Sequence, residues 1–179
     1  MNMGLITSFV IGGMMLLAMV ALSSRISENA GNTSLDLMAK SNVSTITEIV
    51  QADFRRIGFG VPGTAITAMD ATSITFQSTF NSDSTLTIRW HYDTTDSVPN
   101  TENPDDHPLF RIIDGESSDI SLVITDFNLT YLDVDGDETL VPADVRSIRV
   151  SITCASPVSY GDYFGLGYWE GVITPRALN

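Results

Sequence analysis

The chain has 179 residues, a formal net charge of −13 from 22 acidic and 9 basic side chains, and one cysteine. That length suits one modest domain plus an extension. The acidic balance repels phosphate backbones and argues against nucleic-acid binding, while the lone Cys154 excludes an intrachain disulfide and any cysteine-based metal cage.

The first sixty residues stand apart. From Met3 to Leu22 the chain is an apolar run that includes Leu5, Phe9, Gly12, Gly13, Leu16, Leu17 and Val20, and no charged side chain precedes Arg25. About 20 such residues span a bilayer as a helix. A secretory signal has a basic leader segment and an apolar core of about 7–15 residues; this run is longer and lacks the basic segment, which favours a span. The first cation follows the span, against the usual positive-inside order. A basic leader already removed would account for that, with Met1 then a mature N-terminus.

The helical pattern continues beyond the apolar part. Leu35, Met38, Ile46, Ile49, Val50, Phe54 and Ile57 recur at roughly three- and four-residue steps, the mark of an apolar stripe on one helix face. The first proline is Pro62. The pattern therefore predicts a spine over residues 1–60, apolar and then amphipathic, ending at Gly58-Phe59-Gly60. Two places weaken it. Gly12-Gly13 costs roughly 1 kcal/mol per glycine relative to alanine. The stretch from Ser27 to Ser34 is rich in residues that compete with helix, and Thr33 with Asp36 forms a candidate capping pair for a fresh start. Either one continuous helix or two segments joined near Asn29–Thr33 satisfies the sequence.

Residues 61–179 read as a β-rich head. Ser73–Phe76 and Leu86–Tyr92 alternate, with Leu86, Ile88, Trp90 and Tyr92 on one face, and Asn81-Ser82-Asp83-Ser84 between them predicts a hairpin turn. Asp93 to His107 is a polar surface loop. Leu109–Ile113 is a short strand. Ile120 to Tyr131 holds two alternations with a shift of face near Asp126. Val145 to Cys154 points Ile148, Val150, Ile152 and Cys154 inward, and Tyr168–Ile173 closes the set. The spine carries four basic and four acidic residues, so the whole net charge lies on the head. Strands that are apolar on one face need a cover, and the amphipathic half of the spine supplies one. The expected fold is α+β: a long N-terminal helix packed on a small antiparallel sheet.

This arrangement resembles the type IV pilins and the pseudopilins of type II secretion, and more narrowly the PilW-like minor pilins and J-type pseudopilins. The resemblance rests on Gln51-Ala52-Asp53-Phe54-Arg55-Arg56-Ile57-Gly58-Phe59-Gly60, similar to that group's helix ending. Thr72–Phe76, Pro108–Ile112, Phe127–Asp133, Val145–Val150 and the tail from Tyr168-Trp169 to Pro175-Arg176 add to it. The family usually places a glutamate five residues into the mature chain. Here Leu5 or Phe9 holds that place, depending on the cleavage point, and neither is acidic. The resemblance implies a subunit that waits in the inner membrane and then joins a filament at the cell surface. It would pack its N-terminal helix, through Leu5, Phe9, Gly12, Gly13, Leu16, Leu17 and Val20, against identical or related subunits. The alternative is a single-span anchored binding module.

Catalytic motifs are sparse, and the chain reads as non-enzymatic. No serine stands in a Gly-x-Ser-x-Gly elbow and no glycine-rich phosphate loop occurs. Cys154 falls on an inward strand face and reads as a packed thiol. His91 and His107 read as exposed side chains. The best metal candidate is Asp133, Asp135 and Asp137 with Asp144, since alternating aspartates in a turn converge on calcium. Their spacing departs from the EF-hand loop, and a solvated Asp-Gly turn fits equally. Gly161, Gly165, Gly167 and Gly171 interleave with Tyr160, Tyr163, Phe164, Tyr168 and Trp169, either as an interaction surface or as turns and packing.

Overall fold

The computed structural model describes residues 3–80 and 84–178; the predicted turn at Asn81–Asp83 lies outside them, as do the side chains of Leu5, Ile120 and Leu122. A single α-helix, α1, runs unbroken over Met3–Phe54, 52 residues or about 80 Å. Of the two alternatives the continuous helix forms, with no joint near Asn29–Thr33. Thr33 starts no new helix: its hydroxyl donates to the carbonyl of Asn29 at 2.8 Å. Thr7, Ser8 and Thr45 fold back on the carbonyls four residues earlier in the same way. Hydroxyls satisfied within the helix do not compete with it.

The helix stops at Phe54, short of the predicted Gly58–Gly60. Arg56 N–H and Ile57 N–H donate to carbonyls three residues back, which tightens the end into turns. Gly58 then takes a positive φ of 77°, where its N–H meets the carbonyl of Gln77. The chain has therefore turned on to the sheet before the glycines that mark the stop.

Among the described residues eight strands follow, in two antiparallel sheets where one was expected. β1 (Ile66–Met69), β2 (Ser73–Phe80), β3 (Ser84–Tyr92), β4 (His107–Ile113) and β5 (Glu116–Ile124) form a five-stranded meander in chain order. β6 (Asp126–Leu132), β7 (Ser147–Ala155) and β8 (Leu166–Ile173) form a three-stranded sheet. The predicted shift of face near Asp126 is a change of sheet, made across Thr125. The hairpin pairs Ile74 with Trp90 and Phe76 with Ile88. The second sheet pairs Phe127 with Ile152, Leu129 with Val150 and Tyr131 with Ile148. β2, β3, β6 and β7 thus send alternate apolar side chains to one buried face.

The second half of α1 covers those faces. Its buried stripe runs Leu35, Ala39, Val43, Ile46, Val50, Phe54, with Ile57 just beyond. Met38, expected on this stripe, is 44% exposed; Ala39 takes the inward place. The reason is the close approach of β8. A side chain on Gly167 would bring its Cβ to 2.7 Å from the carbonyl oxygen of Ala39, and one on Gly165 would collide with the backbone of Leu35 and Asp36. Helix and strand touch there almost backbone to backbone, and only small residues permit it. Deeper in the core, Phe54 sets its ring edge-on to Phe76 and Trp90 at 6.0 and 6.3 Å between centroids.

Candidate functional site

The two halves of α1 meet different surroundings. From Leu35 onward one face is buried in the head. Residues 3–34, about 48 Å of helix, extend beyond the strands. On them thirteen large apolar side chains, from Met3 to Ile26, are between 53% and 84% exposed. Phe9, Leu16, Leu17 and Val20, named as assembly residues, are among them. A Cβ on Gly12 or Gly13 would meet nothing within 4 Å. A helix apolar on every side belongs in lipid or among other helices. Fully burying a side chain of this size stabilises by about 1.5–3 kcal/mol, so thirteen represent some 20–40 kcal/mol of driving force. Among the described residues this is the one helix long and apolar enough to cross a membrane; by length and composition it is a candidate membrane anchor or signal sequence.

A buried ion pair fixes the helix to the head. Asp53 is 3% exposed and lies among Val50, Phe54 and Ile57. Its carboxylate accepts Arg111 Nε at 2.6 Å and Nη2 at 2.9 Å, and Trp90 Nε1 at 3.0 Å. This bidentate geometry joins α1, β3 and β4, and the carboxylate's hydrogen bond holds the Arg111 pKa above its ordinary value. Arg55 Nη2 donates to Gln51 Oε1 within its own turn, at 3.1 Å. The missed signal was an aspartate on the apolar stripe, since an unpaired charge is not tolerated there.

The aspartate turn lies at the far end of the second sheet, after Leu132. Asp133 Oδ1 accepts the backbone N–H groups of Asp135 and Asp137 at 2.9 and 3.0 Å, so its carboxylate closes the turn itself. Asp135, Asp137 and Asp144 are exposed. Among the described residues no three His, Cys, Asp or Glu side chains gather as a metal site.

Neither histidine is the freely exposed side chain expected. Both are half-buried, and His107 Nδ1 lies 2.6 Å from the carbonyl oxygen of Asp96 while its ring meets Tyr92 edge-on. Asp106 is also buried beside this loop, with one carboxylate oxygen on the Thr101 hydroxyl. Burial raises its pKa above the ordinary carboxylate value. Cys154 is fully buried, and burial pushes its thiol up to about 12. A thiol that keeps its proton at neutral pH is a poor nucleophile. A cleft of about 520 Å³ opens between Met69–Ala71, β6 and Glu138–Leu140, with Asp70, Tyr131 and Glu138 as its ionisable groups.

The aromatic–glycine stretch divides between packed and exposed side chains. Gly165, Gly167 and the half-buried Trp169 pack on α1, while Tyr160, Tyr163, Leu166 and Tyr168 stand exposed. Comparison with protein-family models, curated proteins and solved structures returned no match for this chain.

Proposed function

We propose that the chain is a structural subunit of a type IV pilus-like extracellular filament or pseudopilus, and that its work is assembly rather than catalysis. One observation carries this reading. A single rigid helix is buried in its own head over one half and exposes thirteen large apolar side chains over the other. An anchor alone needs no such rigidity; a flexible linker after the span would serve.

In this reading residues 3–22 rest in the inner membrane. On extraction the same surface leaves lipid and packs against the corresponding helices of identical or related subunits, so it stays out of water throughout. Contacts repeated along a screw axis give an open filament. Gly12, Gly13, Ala18 and Ala21 allow helices to approach closely. The hydroxyls of Thr7 and Ser8, already bonded to Met3 and Gly4, add little cost to burial in either setting. The acidic head forms the outer surface. Calcium at Asp133, Asp135, Asp137 and Asp144 would tie the distal turn, with Asp133 released from its backbone contacts. The test is electron microscopy of sheared cell-surface material probed with an antibody to the head. Labelled filaments are expected; label confined to membrane fractions would favour a single-span anchored binding module.

A further inference from the structure

The head has a rim that faces the apolar run, and that rim is aromatic. β8 starts beside Leu35 and runs along α1 towards its C-terminal end, since Gly165 and Gly167 lie against Leu35 and Ala39 in that order. The loop before β8 is therefore at the end of the head nearest Leu22. The ring of Tyr160 lies on Gly31, where an added Cβ would come within 3.1 Å of it. Tyr163 Oη donates to Asp36 Oδ1 at 2.8 Å. Glu102 holds the other side of the loop, its carboxylate accepting Ser159 N–H and Oγ at 2.9 Å each. Yet Tyr160 and Tyr163 remain 47% and 40% exposed, with Val158 at 44% and Leu166 at 58%.

The distances match a bilayer whose hydrocarbon edge lies near Ile26. Gly31 is about 14 Å along the axis from Leu22, the end of the apolar run, and about 8 Å from the exposed Ile26. Each headgroup layer is about 5–8 Å thick. Membrane helices tilt by about 20° on average, and a tilt towards the loop lowers a point about 10 Å off the axis by about 3 Å. Tyrosine, with an apolar ring and a polar tip, concentrates at this depth.

We infer that the tip of the loop before β8, Val158 to Tyr160, rests on the headgroup layer of the bilayer that α1 spans, with the Tyr160 ring as its contact. This builds on the reading that the apolar run crosses a membrane, with the exposed Ile26 at the edge of the hydrocarbon. The contact fixes the tilt and rotation of the helix before assembly, and it breaks when the subunit is withdrawn. Asp162 and Glu102 border the loop, so a zwitterionic surface suits it better than an anionic one.

The full chain reconstituted in phosphatidylcholine vesicles tests this. An environment-sensitive fluorophore is attached to Val158→Cys, to Asp135→Cys at the distal turn, or to Val10→Cys in the apolar run. Cys154 is fully buried, which restricts labelling of the native protein to the introduced thiol. The account expects headgroup-labelled quencher lipid to quench the probe at 158 and leave that at 135 unchanged, while acyl-chain quencher reaches the probe at 10. Tyr160→Ser should return the probe at 158 to water. A quenched probe at 10 with an unquenched one at 158 overturns the docking alone. An unquenched probe at 10 overturns the membrane reading as well. Quenching at 158 that survives the substitution overturns the assignment to Tyr160.

Discussion

The two halves of α1 are one continuous helix in the same chain, yet they are stabilised by unlike means. Residues 35–54 hold together through packing: a stripe of apolar side chains, backbone contact with β8 and a bidentate ion pair. Residues 3–34 have little of this within the chain, apart from Tyr160 against Gly31, and leave their apolar surface for something else. The comparison teaches that helix continuity does not require uniform support, because a packed half supplies the nucleus from which the rest propagates. It also separates two kinds of substitution. Changes in the second half should alter folding, and changes in the first should alter only what the helix joins.

The largest effect should come from Asp53→Ala. It leaves the half-buried Arg111 without its partner, and breaking a pair with a buried carboxylate costs up to about 3–5 kcal/mol. Urea unfolding of the full chain in detergent measures it; a loss below about 1 kcal/mol would place the pair in the class of weak surface bridges. Next is Leu16→Asp. A charge at the centre of a span costs about 2.5–3.5 kcal/mol in insertion, roughly a hundredfold in the inserted fraction, while the unfolding midpoint of the head should not move. A third test makes one substitution in both halves. Gly167→Ala forces helix and strand apart and should destabilise by about 1–3 kcal/mol. Gly12→Ala meets open space and should strengthen the helix by about 0.5–1 kcal/mol. Equal signs would erase the distinction.

The smallest effect concerns Asp106. Its pKa in the folded chain is raised by burial above the ordinary 3.8, so between those two values the folded state holds a proton that the unfolded state has lost. This group's contribution to stability is therefore fullest below 3.8 and falls as pH rises through its folded value. Asp106→Asn should flatten that part of the stability curve; an unchanged curve would place the effect elsewhere.

Much of this was legible in the sequence where burial is one-sided. Leu86–Tyr92 and Val145–Cys154 alternate because one face of each strand meets the core, and the helix was legible because no proline precedes Pro62. β1 was missed because Ile66-Thr67-Ala68-Met69 is four residues long and buries only Ile66 fully. The start of β5 was missed because Glu116-Ser117-Ser118-Asp119 carries no strand-forming pattern; pairing with β4 imposes it. The helix end was misplaced because the glycines mark where the chain reverses, four residues after hydrogen bonding has changed. The inward turn of Ala39 rather than Met38 depends on β8, more than a hundred residues away, and no local pattern encodes it. The candidate site was legible as an apolar run. The ion pair that secures it was not, because its partners are 58 residues apart.

The most direct measurement follows the apolar half through detergent removal. The full chain, carrying a water-sensitive probe at Leu16→Cys, is purified in detergent, and sedimentation and probe hydration are then recorded as detergent is withdrawn. The account predicts fast-sedimenting polymers in which the probe stays dry. A monodisperse monomer that remains soluble in plain buffer, with the probe either hydrated or folded into its own head, would contradict it.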